Sequence, residues 1–134
     1  MVLFVCTGNT CRSPMAAAIW KSLGGEADSA GLAAQAAESA SENAVRVMRE
    51  RGIDLSCHCA KNVTVDLMAA ATVAACMTDA HAETLRRRYP QFVYKIRTLP
   101  EEIPDPWGQN MAAYEACADS LERALRRMWK DGVF

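Results

Sequence analysis

The first fourteen residues hold the strongest constraint on how this chain can fold. Val2-Leu3-Phe4-Val5 is a continuous apolar run, the pattern of a strand buried on both faces in a parallel sheet. The segment Cys6-Thr7-Gly8-Asn9-Thr10-Cys11-Arg12-Ser13 follows, and Ser13-Pro14 opens a helix. Serine is a preferred N-cap, and proline fits the first turn, where its missing N–H would be unpaired anyway. Met15, Ile19 and Leu23 then recur at helical spacing until Gly24-Gly25 breaks the pattern. Strand, tight loop and helix in that order begin a βα unit, and βα units build parallel sheets.

The remainder of the chain repeats the alternation. A short strand is expected around Ala27 to Ala30, then a helix around Ser41 to Arg51 with Ala44, Val45 and Met48 inward, ending at Gly52. Thr64 to Ala70 reads as a short helix capped by Thr64 or Asn62, and Thr72 to Met77 as a buried strand. Asp79 is placed to cap a helix running to Arg88, with Ala82, Leu85 and Tyr89 on one face and His81 towards solvent. Phe92 to Ile96 is expected to be the fourth strand. The last helix carries Tyr114, Cys117, Leu121, Leu125 and Met128 at alternating spacings of three and four. The expectation is one α/β domain over residues 1–134. It has a doubly wound, four-stranded parallel sheet flanked by helices, with ligands at the carboxyl ends of the strands. The loop after the first strand lies at such an end.

That loop has the composition of an anion cradle. Free N–H groups and the positive end of the helix dipole favour an anion at a helix N-terminus, and a curled loop aims further N–H groups inward. Gly8 removes the side-chain penalty for unusual backbone angles, and Asn9 tolerates them. Arg12 supplies a planar fork for two phosphate oxygens. The same field is expected to lower the pKa of Cys6 and favour the thiolate. A thiolate facing a phosphoryl group points to a cysteinyl-phosphate, with Ser13 donating to the sulfur as it leaves. A lone cysteine at a strand end ordinarily packs, but here Cys, Gly, Asn, Arg, Ser and Pro all fit one geometry. A nucleotide-binding P-loop needs a terminal Gly-Lys-Ser/Thr, which this loop does not have.

Departure of an alkoxide, phenoxide or guanidine needs a proton. Leu99 to Gly108 is proline-rich and breaks helical periodicity. Within it Asp105 stands between Pro104 and Pro106, and Pro106 biases it towards an extended backbone. Trp107 is placed to wall the pocket.

Cys6-(five residues)-Arg12-Ser13-Pro14 with a late Asp105-Pro106-aromatic resembles the low-molecular-weight protein tyrosine phosphatases. Asp28-Ser29-Ala30-Gly31, Gly52-Ile53, His58-(x)-Ala60-Lys61 and Met77-Thr78 resemble further segments of that family, over the whole chain. The resemblance implies Cys6 as nucleophile, Arg12 as phosphate clamp, and Asp105 as general acid and then general base. It implies Asn9, Ser29 and His58 as a buried network holding the loop. The substrate-binding set is then Thr7, Gly8, Asn9, Thr10, Cys11, Ser13 and Trp107. No cofactor and no metal are implied. Tyrosine-directed members commonly carry a bulky aliphatic residue where this chain has Thr10, and often two tyrosines after Asp-Pro. Thr10 and Trp107-Gly108 are closer to the bacterial protein arginine phosphatases, although those usually have Phe at the position of Trp107. A branched aliphatic group packs on a phenyl ring, whereas a hydroxyl can orient a guanidinium or the attacking water. The expected substrate is therefore protein phosphoarginine, with phosphotyrosine as the alternative and inorganic phosphate as product.

Composition closes off other classes. A formal net charge of −1 gives no bulk field to recruit nucleic acid or anionic membrane. Leu67 to Met77 is too short to span a bilayer. Met1 leads directly into a strand, so no secretory signal is read. Six cysteines without one point to a reducing, cytoplasmic setting and not a disulfide scaffold, and a monomer is expected. Cys11 is open to two readings, a reversible disulfide with Cys6 or packing under the loop. Cys57-His58-Cys59 lacks the second ligand pair of a zinc site. Cys76 and Cys117 fall on apolar patterns and read as core. Arg86-Arg87-Arg88 and Arg126-Arg127 read as solvated helix faces. Arsenate reductases of similar fold share the Cys-(x5)-Arg loop but relay electrons through two further cysteines. Cys57 and Cys59 are too close together for that relay, and Cys76 sits inside a predicted strand. An inactive phosphoprotein-binding module typically loses the cysteine, the arginine or the acid, and all three are present.

Overall fold

The computed structural model describes residues 1–132. Four strands, β1 (Val2–Cys6), β2 (Ala27–Gly31), β3 (Val73–Cys76) and β4 (Ile96–Thr98), form one parallel sheet in the order β2-β1-β3-β4. Among the described residues five α-helices flank the sheet: α1 (Arg12–Ser22), α2 (Glu42–Glu50), α3 (Val65–Ala70) and α4 (Asp79–Arg88) between strands, and α5 (Met111–Asp131) after β4. Side chains of β1 alternate between two cores. Val2, Phe4 and Cys6 pack with α1, α2 and α5, while Leu3 and Val5 pack with Met68 of α3 and Ala82 and Leu85 of α4. Every residue of β1 is buried, which is why the strand reads as an unbroken apolar run. The chain leaves β1 towards β2, then crosses to β3 on the other side. The crevice between the carboxyl ends of β1 and β3 is thus the topological switch point, where open α/β sheets bind ligands.

Several boundaries differ from the sequence expectation. Helix α1 starts at Arg12, with Cys11 in the N-cap position and no side-chain cap. Ser13 is already inside the helix, and its hydroxyl serves the loop and not the cap. Helix α2 buries Val47 beside Ala44 and Met48, and Val45 is half-buried. Thr78 caps α4 by accepting from the His81 N–H, in place of Asp79. Thr64 does cap α3.

The fourth strand is Ile96–Thr98, not Phe92–Ile96. Pairing with β3 begins at Ala74↔Ile96, so Phe92 to Tyr94 lie beyond the start of β3, and the chain winds into a 3₁₀ turn, Pro90–Lys95. That turn buries Lys95, whose Nζ donates to Met68 O at 2.8 Å and Ala71 O at 2.7 Å. The buried ammonium thereby satisfies carbonyls at the end of α3, which otherwise lack helical partners. The final helix buries Tyr114, Cys117, Leu121, Leu125 and Met128 as its spacing predicts. It is tied to α1 by Trp129 edge-on to Trp20, ring centroids 5.1 Å apart.

Candidate active site

A cavity of about 270 Å³ opens at the switch point. Its floor is the loop between β1 and α1, and Glu38, Asp105 and Trp107 form its rim. Asn9 shapes the loop. Its backbone is left-handed, φ 56°, a conformation asparagine accepts more readily than most residues. Gly8 does not share it, so the left-handed position falls on the asparagine.

The Asn9 side chain donates to Ser13 Oγ at 2.8 Å and Ser29 Oγ at 3.0 Å, and accepts from the Lys61 N–H at 3.0 Å. His58 Nε2–H donates to the Asn9 carbonyl at 2.7 Å. Since the Ser13 oxygen already accepts from Asn9, its own proton is free for Cys6 Sγ, 2.9 Å away. The structure thus brings Ser13, Ser29 and His58 together around Asn9, with Ser13 reaching on to Cys6 Sγ. Gly31 makes room for this arrangement. A Cβ there would lie 2.5 Å from Thr7 O and 3.2 Å from Asn9 Cβ.

The Cys6 thiol does not follow the expected lowering. Burial pushes it up, and the Ser13 hydroxyl, the backbone N–H groups of Ser13 and Asn9, and the Arg12 guanidinium pull it down. Burial is the largest of these influences, because the sulfur sits at the end of a fully buried strand. The donors read from the sequence are present, but they oppose desolvation and do not overcome it.

Arg12 lies under the rim, its side chain 7% exposed. Nη1 donates to Ile103 O at 3.0 Å, and Nη2 is 3.6 Å from Asp105 Oδ2. The guanidinium therefore bridges the β1–α1 loop and the segment carrying Asp105. Asp105 remains exposed to solvent, its Oδ1 accepting the Trp107 N–H at 3.1 Å and its carbonyl accepting Gln109 Nε2 at 2.9 Å. Gly108 turns the chain at φ 76° before Asn110 caps α5. The Trp107 indole is 68% exposed. Thr10 is buried on the cavity wall. Cys11 is buried, with Sγ 3.2 Å from Ser41 Oγ and 3.3 Å from Tyr114 Oη. Cys6 and Cys11 are both free thiols.

His81 corrects the sequence reading. It is buried, not solvent-facing, with Nε2 2.9 Å from Thr7 Oγ1 and Nδ1 3.1 Å from Thr78 Oγ1. Burial, then Arg12, push its pKa down to about 4, while Asp105 and Glu102 act the other way. A signal does exist in the sequence, since His81 precedes Leu85 by four residues and so shares its inward face. Glu38 carries no such signal. It belongs to an Ala-rich stretch with no motif, and its neighbour Ala37 takes a left-handed turn, φ 67°. Cys57 and Cys59 are exposed. His58 points into the loop network, where its Nε2 is occupied.

This constellation defines a class: a cysteine at the foot of a curled strand-to-helix loop, with an arginine and an aspartate paired at the same cavity, on a four-stranded α/β sheet. A model of the low molecular weight phosphotyrosine protein phosphatases matches residues 1–131, and the chain belongs to that family. A protein-arginine-phosphatase of Geobacillus stearothermophilus is 36% identical over 137 residues, covering 95% of this chain and 92% of the relative. A probable low molecular weight protein-tyrosine-phosphatase, EpsP, of Ralstonia nicotianae is 35% identical, covering 92% and 90%. Among solved structures, a cysteine-to-serine mutant of YwlE arginine phosphatase with a phosphorylated active-site serine superposes with a TM-score of 0.93. It is 32% identical, with 97% of this chain and 93% of that chain covered.

Proposed function

We propose that this chain is a cysteine-dependent protein phosphatase that hydrolyses phosphoarginine through a cysteinyl-phosphate. The observation that carries the reading is the Asn9–Ser13–Cys6 relay facing the Arg12–Asp105 bridge across one cavity. The phosphoryl group sits in the loop, its oxygens held by backbone N–H groups and the Arg12 fork. Cys6 gives its thiol proton to solvent in the open cavity, and the resulting thiolate Sγ attacks phosphorus. The S–P bond forms as the N–P bond breaks, and the Asp105 carboxyl protonates the departing guanidine nitrogen. In the second step Asp105, now a carboxylate, takes a proton from water as the water oxygen attacks phosphorus. The S–P bond breaks, inorganic phosphate departs, and the leaving thiolate is received by the Ser13 hydroxyl.

Thr10 places a polar side chain on the cavity wall, and Glu38 adds a second carboxylate at the mouth beside Asp105. That charge favours a cationic guanidinium carrier over a neutral phenyl ring. The similarity to a protein-arginine-phosphatase supports the same choice. Phosphotyrosine is the second reading, favoured by the exposed face of Trp107, on which a ring can stack. A cytoplasmic setting fits the use of six unbridged cysteines. No helix among the described residues is long and apolar enough to cross a membrane.

The test compares hydrolysis of phosphoarginine and phosphotyrosine peptides by wild type and Thr10→Ile. Wild type is expected to prefer phosphoarginine, and the substitution to move preference towards phosphotyrosine. Faster wild-type cleavage of phosphotyrosine rejects the substrate assignment.

A further inference from the structure

We propose that His81 is a positioning residue for the phosphate loop, acting through Thr7, and that the β3–α4 junction is the shared anchor of both catalytic segments. This role rests on the phosphatase reading of the cavity. Thr7 directly follows the nucleophile and lines the pocket, yet it is exposed and lies in a loop, so nothing local fixes its side chain. His81 reaches it from just past the end of the neighbouring strand β3, Nε2 to Oγ1 at 2.9 Å, 74 residues away in sequence. The other ring nitrogen meets Thr78 Oγ1 at 3.1 Å. A neutral imidazole offers one donor and one acceptor, and two hydroxyls can satisfy either tautomer.

The same junction holds the segment that carries the acid. The Ile103 N–H donates to Met77 O at 2.9 Å, and Glu102 Oε1 accepts the Asp79 N–H at 2.8 Å. Ile103 is fully buried, and its carbonyl accepts from Arg12. Hydrogen bonds and the short stretches of chain between them therefore close a circuit from Thr7 through His81 and Thr78 to the junction, on to Glu102 and Ile103, and back through Arg12 to the loop. Nucleophile and acid come from opposite ends of the chain, and their relative position is set at residues 77–81. Thr7 also accepts the Ala33 N–H on its carbonyl at 3.0 Å. With both ends of Thr7 restrained, the peptide planes that aim N–H groups at phosphate cannot rotate independently.

The test is a double-mutant cycle on para-nitrophenyl phosphate hydrolysis, with inorganic phosphate as competing ligand. Wild type, His81→Ala, His81→Gln, Thr7→Val and the His81→Ala/Thr7→Val double variant are compared per titrated Cys6 thiol. Each truncation is expected to lower kcat about tenfold, a cost typical of a small misplacement of binding groups, and to weaken phosphate inhibition by a similar factor. The double variant should fall no more than about twofold below the worse single one, because both changes cut one link. His81→Gln, which keeps a hydrogen-bonding end, should recover most of the loss. Should His81→Ala fail to fold, Thr7→Val carries the same test with the imidazole in place. Multiplying losses, or unchanged kcat and phosphate inhibition in both truncations of an active wild type, overturn the positioning role alone. A wild type with no phosphatase turnover overturns the reading of the cavity and this role with it.

Discussion

At the residue scale, Asn9 organises the nucleophile's surroundings. Its carboxamide feeds the buried Ser13 and Ser29 and receives the Lys61 N–H at the cluster's edge. Asn9→Ala leaves those groups without their partner and puts alanine at a left-handed φ. It should cost about 2 kcal/mol or more in urea unfolding, the scale of a buried donor or acceptor left unmade. A loss under about 0.5 kcal/mol, the size of an ordinary surface change, would show that the network is dispensable. Ser13 has a separable role. Because its hydroxyl pulls the buried Cys6 thiol down against desolvation, Ser13→Ala should move the pH midpoint of Cys6 alkylation upwards. An unmoved midpoint removes Ser13 from the sulfur. Loop composition makes Asn9's tolerance of αL and Ser13's donation to the sulfur legible in the sequence, whereas the Asn9–Ser29–His58 network comes only from the resemblance to the family. His81 is not legible there as a site residue, because its partner Thr7 comes from a distant part of the chain.

At the scale of elements, the site is built where β1, β2 and β3 end. Gly31 closes β2, and its hydrogen atom is the space that the Thr7 carbonyl occupies. Gly31→Ala should destabilise the fold by about 1–3 kcal/mol, as overpacking does. It should also lower turnover more than a loop-distant change of equal thermodynamic cost. Equal turnover at equal stability would show that β2 does not set the loop. The Asp105 segment makes the complementary case. Asp105→Asn removes the proton donor but keeps a side chain able to accept from Trp107. It should slow hydrolysis by about 10²–10⁴-fold, the usual contribution of general acid–base catalysis, and less for substrates with good leaving groups. Equal loss for good and poor leaving groups would remove Asp105 from proton transfer. Sequence periodicity locates these elements well because each buries one face or both. It fails at Phe92–Lys95, where Phe92 to Tyr94 extend past the start of β3, the strand β4 pairs with. It also fails at the start of α1, where the Ser13 hydroxyl is drawn to the sulfur and the helix end is left open to an anion.

At the scale of the whole molecule, the site and the fold share one electrostatic account. His81 is buried against the phosphate loop beside Arg12, Asp105 and Glu102, and its pKa is held at about 4 against an ordinary value of 6.5. His58, half-buried behind the same loop, is lowered as well, first by burial, then against the pull of its bond to Asn9. Between the folded and unfolded values the unfolded chain binds more protons, so stability rises with pH across that window. The contribution is complete above about pH 6.5 and is lost as pH falls towards 4, since charging a buried imidazole next to Arg12 opposes folding. The measurement is the urea midpoint of wild type and His81→Asn at pH 7.5 and pH 5. Wild type should lose stability on acidification. His81→Asn, less stable at pH 7.5 for want of the Thr7 and Thr78 contacts, should lose distinctly less, because asparagine has no proton to gain. Parallel losses in the two proteins would place the acid sensitivity elsewhere. A smaller loss in the variant would tie the protonation of one buried ring to the integrity of the fold that holds the loop.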